Sequence, residues 1–353
     1  MKVMSKWLGR CLLVGMVLAL ILSTYDAKAA PEVKAEDFYK GATVAFIVPN
    51  APGGMFDLWA RTLAPHLKKY TGAKAFVVNN MAGAGGISGG GYLYNAAKRD
   101  GLTIGFIPFA GMVTGEVLGF APVKYQMANF NYIGRVEATC NVLLVSPASG
   151  FKTFQDMQKT QKKIRFGTSD PTNISSILGS ILIEAFGLNA KIVSGFKGSR
   201  DMKLALSVGK ELDARTFTLD ASDVVSIKSG ELVIVSSVSK IRHPQFPQVP
   251  TALETPGLSD QSRKLLTLGA TLQENVYVIT APPGTPEDRV AFLEKALSAS
   301  LKEPALLDWA GKQSIAVTYH SGKQLKSSVN DLMNLIPPAE RPMYKHMLLE
   351  KYF

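Results

Sequence analysis

The sequence is poor in cysteine and histidine, the residues that most often build disulfide frameworks and zinc sites. It has two cysteines, Cys11 and Cys140, and four histidines, and no two histidines lie at the spacing of metal ligands. A zinc site needs a cluster of such side chains, and an internal disulfide needs two cysteines in the folded chain. The sequence therefore predicts a fold held together by burial, with no metal, no other cofactor and Cys140 as a small buried residue.

Long apolar runs are also absent, except near the amino terminus. Three basic residues precede an apolar run over residues 11–23, and Ala27-Lys28-Ala29 follows it. This pattern is typical of a cleavable signal peptide, which we expect to cover residues 1–29. Its removal would leave Cys140 as the remaining cysteine of an exported protein. An uncleaved membrane anchor is the alternative, although the run is short for a bilayer span.

The chain has a positive formal charge but no concentrated basic region. The net charge is +11, and the segment expected to be removed carries +3, which leaves +8. Lysine and arginine are scattered, without the basic stripe or aromatic signature of nucleic-acid binding, so we expect no nucleic-acid partner. The excess suits an anionic ligand, although an ordinary basic surface explains it equally well.

Glycine is concentrated in two loops of the stretch between residues 44 and 108. An apolar strand at 44–48 leads into a loop with Gly53 and Gly54, and a second strand at 76–79 leads into a glycine run over 83–91. A third strand follows at 102–108. Strands alternating with helices predict a parallel α/β sheet. Glycine loops before helices expose backbone N–H groups that accept an anion, which indicates capture of a small carboxylate.

The second half of the chain repeats this design. A strand at 164–167 is followed by a polar loop at 168–173 and an apolar helix at 174–186. A strand at 275–281 would return the chain to the first unit. We therefore predict one α/β lobe from residues 30–142 and 276–353, a second from 143–275, two crossing strands and a cleft between the lobes.

The polar loop of the second lobe offers donors at a helix start. Thr168, Ser169, Thr172 and Asn173 would suit a carboxylate, each charge-assisted bond contributing about 1.5–3 kcal/mol. Capping of the helix by Ser169, Asp170 or Thr172 is the alternative use of the same loop. Lys197 either counters a ligand carboxylate or is a solvated loop residue.

Two enzymatic interpretations of the glycine run are possible alternatives. Gly83-x-Gly85 resembles a dinucleotide fingerprint, but Ser88 stands where the third glycine belongs. Residues 86–90 fit Gly-x-Ser-x-Gly with Ser88 as a nucleophile, although no histidine has a catalytic context. A secreted serine hydrolase using Ser88 stays open as an alternative, and we predict that the chain is not an enzyme and has no catalytic residue.

Short motifs follow one another over nearly the whole predicted mature chain. They are Pro52-Gly53-Gly54-x-x-Asp57, Asn80-x-x-Gly83-Ala84-Gly85-Gly86, Asp100-Gly101-x-Thr103, Phe166-Gly167-Thr168-Ser169, Gly195-Phe196-Lys197-Gly198, Gly209-Lys210-Glu211-Leu212-Asp213, Val249-Pro250-Thr251-x-x-Glu254 and Ala281-Pro282-Pro283-Gly284-Thr285-Pro286. In this order they resemble the extracytoplasmic solute receptors of tripartite tricarboxylate transporters, the Bug family.

The resemblance implies a two-lobed, type II-like Venus-flytrap fold that captures a carboxylate in the periplasm. It also implies delivery to a membrane permease of one large and one small subunit, and we expect a monomer. A receptor that feeds a signalling partner is a further alternative. The residues expected at the ligand are Asn50, Met55, Phe56, Asp57, Ala84, Gly85, Thr168, Ser169, Thr172, Asn173, Lys197 and Thr218.

The sequence departs from the family pattern after the first paired glycines. Small or polar residues are usual there, whereas this chain has Met55 and Phe56. Bulky apolar side chains in this loop predict a ligand with an apolar or aromatic body, or a tighter pocket. The predicted ligand class is a small carboxylate, either a di- or tricarboxylate or an aromatic carboxylate.

Overall fold

Eleven strands in the described part of the chain form two separate sheets. The computed structural model describes residues 33–83, 86–119, 123–169, 171, 173–196, 199–313 and 315–353. The expected signal peptide and residues Ala84, Gly85, Asp170, Thr172 and Lys197 lie outside the described residues. The strands are β1 Thr43–Val48, β2 Ala75–Asn80, β3 Thr103–Pro108, β4 Asn131–Glu137, β5 Asn141–Val145, β6 Ile164–Gly167, β7 Ala190–Val193, β8 Ala214–Thr218, β9 Val233–Ser237, β10 Tyr277–Ala281 and β11 Val317–Ser321.

Helices connect most of these strands. They are α1 Ala35–Tyr39, α2 Met55–Thr71, α3 Ile87–Asn95, α4 Phe109–Leu118, α5 Phe154–Lys159, α6 Ile174–Phe186, α7 Ser199–Val208, α8 Ala221–Lys228, α9 Asp260–Glu274, α10 Glu287–Ser300, α11 Pro304–Lys312, α12 Gly322–Leu335 and α13 Arg341–Leu349. No helix of the described residues is both long and apolar enough to traverse a lipid bilayer.

The first sheet has the order β11-β4-β10-β3-β1-β2. Strands β1, β2 and β3 run parallel, as the alternation of strands and helices predicts. The returning strand β10 is antiparallel and lies between β3 and β4, and β11 is antiparallel to β4. The loops that follow β1 and β2 and the end of β4 therefore lie at the same edge of the sheet.

The second sheet has the order β7-β6-β8-β5-β9. Strands β6, β7 and β8 are parallel, and β5 is antiparallel to β8 and β9. Residues 138–140 alone separate β4 of the first sheet from β5 of the second. The edges of the two sheets are therefore brought together by this short connection and by the return from α9 to β10.

Two apolar clusters flank the first sheet. One contains Phe46, Trp59 and Phe106 and belongs to the first sheet and its helices. The other joins the two sheets, because α9 packs against α6 on one side and α12 on the other. The two sheets therefore share one apolar core, which packs them against each other through α9 and its neighbours.

The strongest sequence patterns correspond to elements of the structure. The strand at 164–167 and the helix at 174–186 have the predicted bounds. Other elements differ: the glycine run expected as a loop over 83–91 contains the start of α3 at Ile87. Helix α2 continues through Pro65, although a proline inside a helix usually kinks or ends it. Strands β4 and β11 and helices α4, α8, α9, α11 and α13 were not anticipated from the sequence.

Candidate functional site

The loop after β1 is held by a network around Asp57. Its buried carboxylate accepts hydrogen bonds from the Gly53 backbone N–H at 2.9 Å and from Arg61 Nε at 2.9 and 3.0 Å. The Arg61 hydrogen bonds are the main cause that lowers the Asp57 pKa to about 2, and the backbone bond adds to the effect. The charge on Asp57 therefore stabilises the turn at the start of α2.

The same network reaches the end of β2. Arg61 Nη2 donates to Asn80 Oδ1 at 3.2 Å, and Asn80 Nδ2 donates to the Asn50 carbonyl oxygen at 3.1 Å. The side-chain Oδ1 of Asn50 is buried and has no hydrogen-bond partner among the described residues. The two loops of the first sheet are thus tied together, while one buried acceptor of Asn50 is left unsatisfied.

The two bulky residues of this loop pack against the first sheet. The Phe56 ring lies 5.4 Å from the Phe106 ring and 4.6 Å from the Tyr277 ring, measured between centroids. Met55 is half-buried against the same apolar cluster. Phe56 therefore contributes to the core beneath the loop.

The glycines of α3 allow the helix to approach the strands closely. A Cβ on Gly89 would lie 2.7 Å from Pro49 Cβ and 2.9 Å from the Met81 carbonyl oxygen. At Gly86 a Cβ would lie 2.2 Å from Pro108 Cγ, and the residue has a φ of +98°. Glycine here is needed for packing. Ala84 and Gly85, the residues of this loop that we expect at a ligand, lie outside the described residues.

The polar loop after β6 is arranged around Asn173. Its Oδ1 accepts a hydrogen bond from the Ser176 N–H at 2.8 Å and so caps α6. Its Nδ2 donates to Thr168 Oγ1 at 3.2 Å and to Ser169 Oγ at 3.0 Å. Asn173 itself thus caps α6. Thr172 and Lys197, which we also expect at the ligand, lie outside the described residues. The structure brings Thr168, Ser169 and Asn173 together at the start of a helix.

Thr218 ends β8 and lines a cavity at the junction of the two sheets. The cavity has a volume of about 540 Å³. Its walls come from β4 and β11 of the first sheet, from the connection 138–140, from the end of β8 and from the segment 239–245 that follows β9. Of the residues expected at the ligand that the structure describes, Thr218 alone lines it. We call this space the hinge cavity.

The first sheet presents Arg135 to the hinge cavity. The residue is 4% exposed, and its guanidinium donates from Nε to the Thr318 carbonyl oxygen at 3.2 Å and from Nη1 to the Glu274 carbonyl oxygen at 2.9 Å. Burial lowers its pKa to about 10. A cation is thus fixed in a largely desolvated position.

Glu137 lies two residues further along β4, beyond an irregularity in the pairing with β10, and also lines the hinge cavity. Its Oε2 accepts a 2.7 Å hydrogen bond from Trp59 Nε1. Burial raises its pKa to about 7, although the bond to Trp59 acts in the opposite direction. At neutral pH the Glu137 carboxyl group is therefore divided between its two protonation states.

The two connections between the sheets are hydrogen-bonded to each other beside the hinge cavity. Thr139 Oγ1 donates to the Gln273 carbonyl oxygen at 2.7 Å, and the Asn141 N–H donates to Gln273 Oε1 at 2.6 Å. On the far wall, His320 Nδ1 is buried without a hydrogen-bond partner among the described residues, and burial lowers the His320 pKa.

The structure gives no support to Ser88 as a nucleophile. It lies in the first turn of α3. In the described residues the histidines that form hydrogen bonds, His243 and His346, contact Gln245 and Glu350. The described residues also contain no cluster of three or more side chains suited to a metal ion.

Sequence reasoning missed Arg135 and Glu137. Arg135 lies within the otherwise apolar segment 132–136, and Glu137 follows that segment directly. Two opposite charges therefore lie two residues apart in the sequence. In a strand, this spacing places both side chains on one face. That pattern was the available signal for a polar wall on β4.

Comparison with known proteins places these features in a family. A family model described as "Tripartite tricarboxylate transporter family receptor" matches residues 59–336. A UPF0065 protein of Agrobacterium vitis is 28% identical over 286 residues, which cover 78% of this chain and 76% of that protein. BugT of Bordetella pertussis is 25% identical over 320 residues, covering 89% and 92% of the two chains.

Solved structures show the same architecture. The periplasmic binding protein BugD matches with a TM-score of 0.64 and 25% identity, over 88% of this chain and 99% of that one. MatC of Rhodopseudomonas palustris, solved with bound malate, has a TM-score of 0.61 and 20% identity over 86% and 99% of the chains. An R. palustris protein solved with adipate has a TM-score of 0.65 and 20% identity, over 86% and 97%. The predicted two-lobed α/β fold is confirmed.

Proposed function

Because the chain belongs to the tripartite tricarboxylate transporter receptor family, we propose that it captures a small carboxylate in the periplasm and delivers it to a membrane permease of one large and one small subunit. The observation that carries this proposal is the match of the family model to residues 59–336. Members of this family are substrate-binding receptors and not enzymes. Closing two lobes on a solute requires only contacts that are better in the closed state.

The structural neighbours support a carboxylate as the solute. MatC was solved with malate and a second R. palustris protein with adipate. Both ligands carry two carboxylates, although their carbon chains differ in length and substituents. We propose a di- or tricarboxylate or an aromatic carboxylate for this chain, with residues 30–142 and 276–353 as one lobe and 143–275 as the other.

The proposed contacts come from the loops that follow the parallel strands. In the second lobe, Thr168, Ser169 and Asn173 place hydroxyl and amide groups at the start of α6, where the helix dipole favours an anion. In the first lobe, the proposed contacts are Asn50, Met55, Phe56, Asp57, Ala84 and Gly85. Thr172, Lys197 and Thr218 complete the proposed set.

The role of Asp57 in this proposal follows from its contacts. Its carboxylate is occupied by Arg61 and the Gly53 N–H, so it positions the loop around the ligand and its negative charge is neutralised. A carboxylate ligand can therefore approach this loop without facing an unpaired like charge.

A thermal-shift screen against organic acids tests the proposal. A ligand that binds only the folded state raises the melting temperature, and the rise grows with ligand concentration. We expect at least one small carboxylate to give such a shift. A protein that responds to no organic acid, at concentrations far above those in the periplasm, would contradict the proposal.

A pair of variants at one residue separates binding from stability. Asn173→Asp keeps an oxygen to cap α6 but replaces the amide donor by a negative charge, so it should abolish the ligand-induced shift. Asn173→Gln removes the short capping side chain but keeps an amide. The shift should be lost in the first variant even though its ligand-free melting temperature stays closer to that of the wild type.

A further inference from the structure

The hinge cavity contains a cation that the proposed solute contacts do not use. Arg135 is 4% exposed, and its hydrogen bonds go to two backbone carbonyl oxygens, those of Thr318 and Glu274. No carboxylate of the described residues forms an ion pair with it, and the Glu274 side chain is instead paired with Lys240 at 2.9 Å. The Glu274 carboxylate is near enough to raise the Arg135 pKa but forms no contact ion pair with it. A buried charge without a counterion in contact is costly, and an anion bound next to it would offset part of that cost.

Part of the wall is suited to a hydrocarbon body. Leu219, Ile241, Pro244 and Ile315 line the cavity together with the methyl side chains of Ala138 and Ala316. A volume of about 540 Å³ accommodates a ring or a branched chain. The cavity thus combines one fixed cation with apolar surface, beside the polar side chains that also line it.

The acidic groups of the wall restrict the charge of an occupant. Glu137 and Glu274 both line the cavity, one on the strand of Arg135 and one at the end of α9. A second carboxylate on the ligand would face these oxygens and be repelled. His243 and His320 supply polar edges to the same wall.

We propose that the hinge cavity is a second binding site, which takes a monocarboxylate with an apolar or aromatic body and holds its carboxylate against Arg135. The site lies at the junction of the two sheets, between the connection 138–140 and the ends of β8 and β11. It shares Thr218 with the proposed solute contacts but includes neither the loop 50–57 nor the loop 168–173, so either site can fail experimentally without the other. An occupant here would contact both lobes at the point where they are joined.

Cys140 provides a direct readout, because it is a free cysteine and its side chain lines the hinge cavity. The rate of its alkylation by N-ethylmaleimide is measured by mass spectrometry of the peptide that carries it, with and without a probe. Benzoate is the probe, benzamide is its uncharged isostere, and terephthalate adds a second carboxylate. The alkylation rate is proportional to the fraction of the protein that has no probe bound. It therefore falls about tenfold when the probe concentration is ten times its Kd.

We expect benzoate to slow the alkylation of Cys140, benzamide to have little effect, and terephthalate to be weaker than benzoate. Arg135→Met should remove the effect of benzoate, and Arg135→Lys should retain part of it. Because Arg135 also bonds to two carbonyl groups, Ala316→Trp serves as a second variant that fills the exposed mouth of the cavity and leaves Arg135 in place. Alkylation should then be independent of benzoate.

Three results would overturn the proposal. They are an alkylation rate unchanged by benzoate up to saturating concentrations, equal protection by benzoate and benzamide, and protection that persists in both Arg135→Met and Ala316→Trp. Asn173→Asp distinguishes the two sites, because it should abolish the solute-induced thermal shift while benzoate still protects Cys140. The reverse outcome, a solute shift without protection, refutes the second site and leaves the proposed function in place.

Discussion

Trp59 and Glu137, separated by 78 positions in the sequence, are joined by a 2.7 Å hydrogen bond from the indole Nε1 to Oε2. The bond links α2, the helix that follows the first glycine loop, to the end of β4 beside the hinge cavity. Trp59 is fully buried and Glu137 is 7% exposed. The Glu137 carboxyl group thus lies in a desolvated position between the helix that follows the loop 50–57 and the connection 138–140.

Glu137 should make the stability of the protein depend on pH. Its pKa is raised from 4.5 to about 7 in the folded state, so the folded chain holds this proton more tightly than the unfolded chain does. The stabilisation is therefore complete below pH 4.5 and is lost as the pH rises through 7. At about 1.4 kcal/mol per pKa unit, the full loss amounts to about 3.5 kcal/mol. Urea unfolding at a series of pH values measures it.

Glu137→Gln is the matched control for this prediction. Glutamine keeps an oxygen for the Trp59 N–H but does not titrate, so the free energy of unfolding should lose this part of its pH dependence. The difference between wild type and variant isolates Glu137 from the other titrating groups. A difference that stays constant from pH 4.5 to 8 would show that Glu137 titrates near its ordinary pKa.

Two glycines of α3 should respond in opposite ways to alanine. A Cβ on Gly89 would meet Pro49 and the Met81 carbonyl oxygen, whereas a Cβ on Gly91 would meet nothing within 4 Å. Gly89→Ala should therefore destabilise the fold, by about 1–3 kcal/mol for overpacking. Gly91→Ala should stabilise it by roughly 0.5–1 kcal/mol, because alanine is the better helix former. Chemical denaturation of both variants checks the signs, and equal effects would contradict this packing.

Asp57 should matter more for stability than an exposed aspartate in a similar pair. Asp57→Ala removes the acceptor of the Gly53 N–H and of Arg61, which we expect to cost about 1–3 kcal/mol. The control is Asp308→Ala, since Asp308 forms a solvent-exposed pair with Lys312 at the same helical spacing. That change should stay within about 0.5 kcal/mol. Similar losses in the two variants would mean that the Asp57 network contributes little.

The fold could be predicted from the sequence where the local pattern was strong and continuous. The helix at 174–186 is mostly apolar and follows a polar loop, and the structure has it with the predicted bounds. Strand β4 was missed because Arg135 and Glu137 interrupt its apolar pattern. Strand β11 was missed because its alternation of apolar and polar residues covers only four positions, 317–320, and all five of its residues are half-buried.

The polar loops could also be located from sequence, but the hinge cavity could not. Thr168, Ser169 and Asn173 are neighbours in the chain, so their proximity follows from one short loop. Arg135, Thr218 and His320 come together only through the pairing of β4 with β11 and the crossing to the second sheet. Contacts of that kind depend on topology, which local patterns do not specify.

Removing the cap of α6 should have a modest cost in the absence of ligand. Asn173→Ala loses the bond to the Ser176 N–H and should destabilise the protein by about 1 kcal/mol, whereas Asn173→Asp retains a capping oxygen and should cost less. Thermal unfolding without ligand gives the order of the two variants. If Asn173→Asp were the less stable variant, the side chain would have another role than capping.

The most direct measurement is calorimetric titration of the purified protein with the organic acid that gives the largest thermal shift. We expect saturable binding of that acid to the wild type, no binding of its amide, and loss of binding in Asn173→Asp. Full affinity in Asn173→Asp together with Thr168→Ala, or the absence of heat with every organic acid tested, would contradict the account of a carboxylate receptor that uses the start of α6.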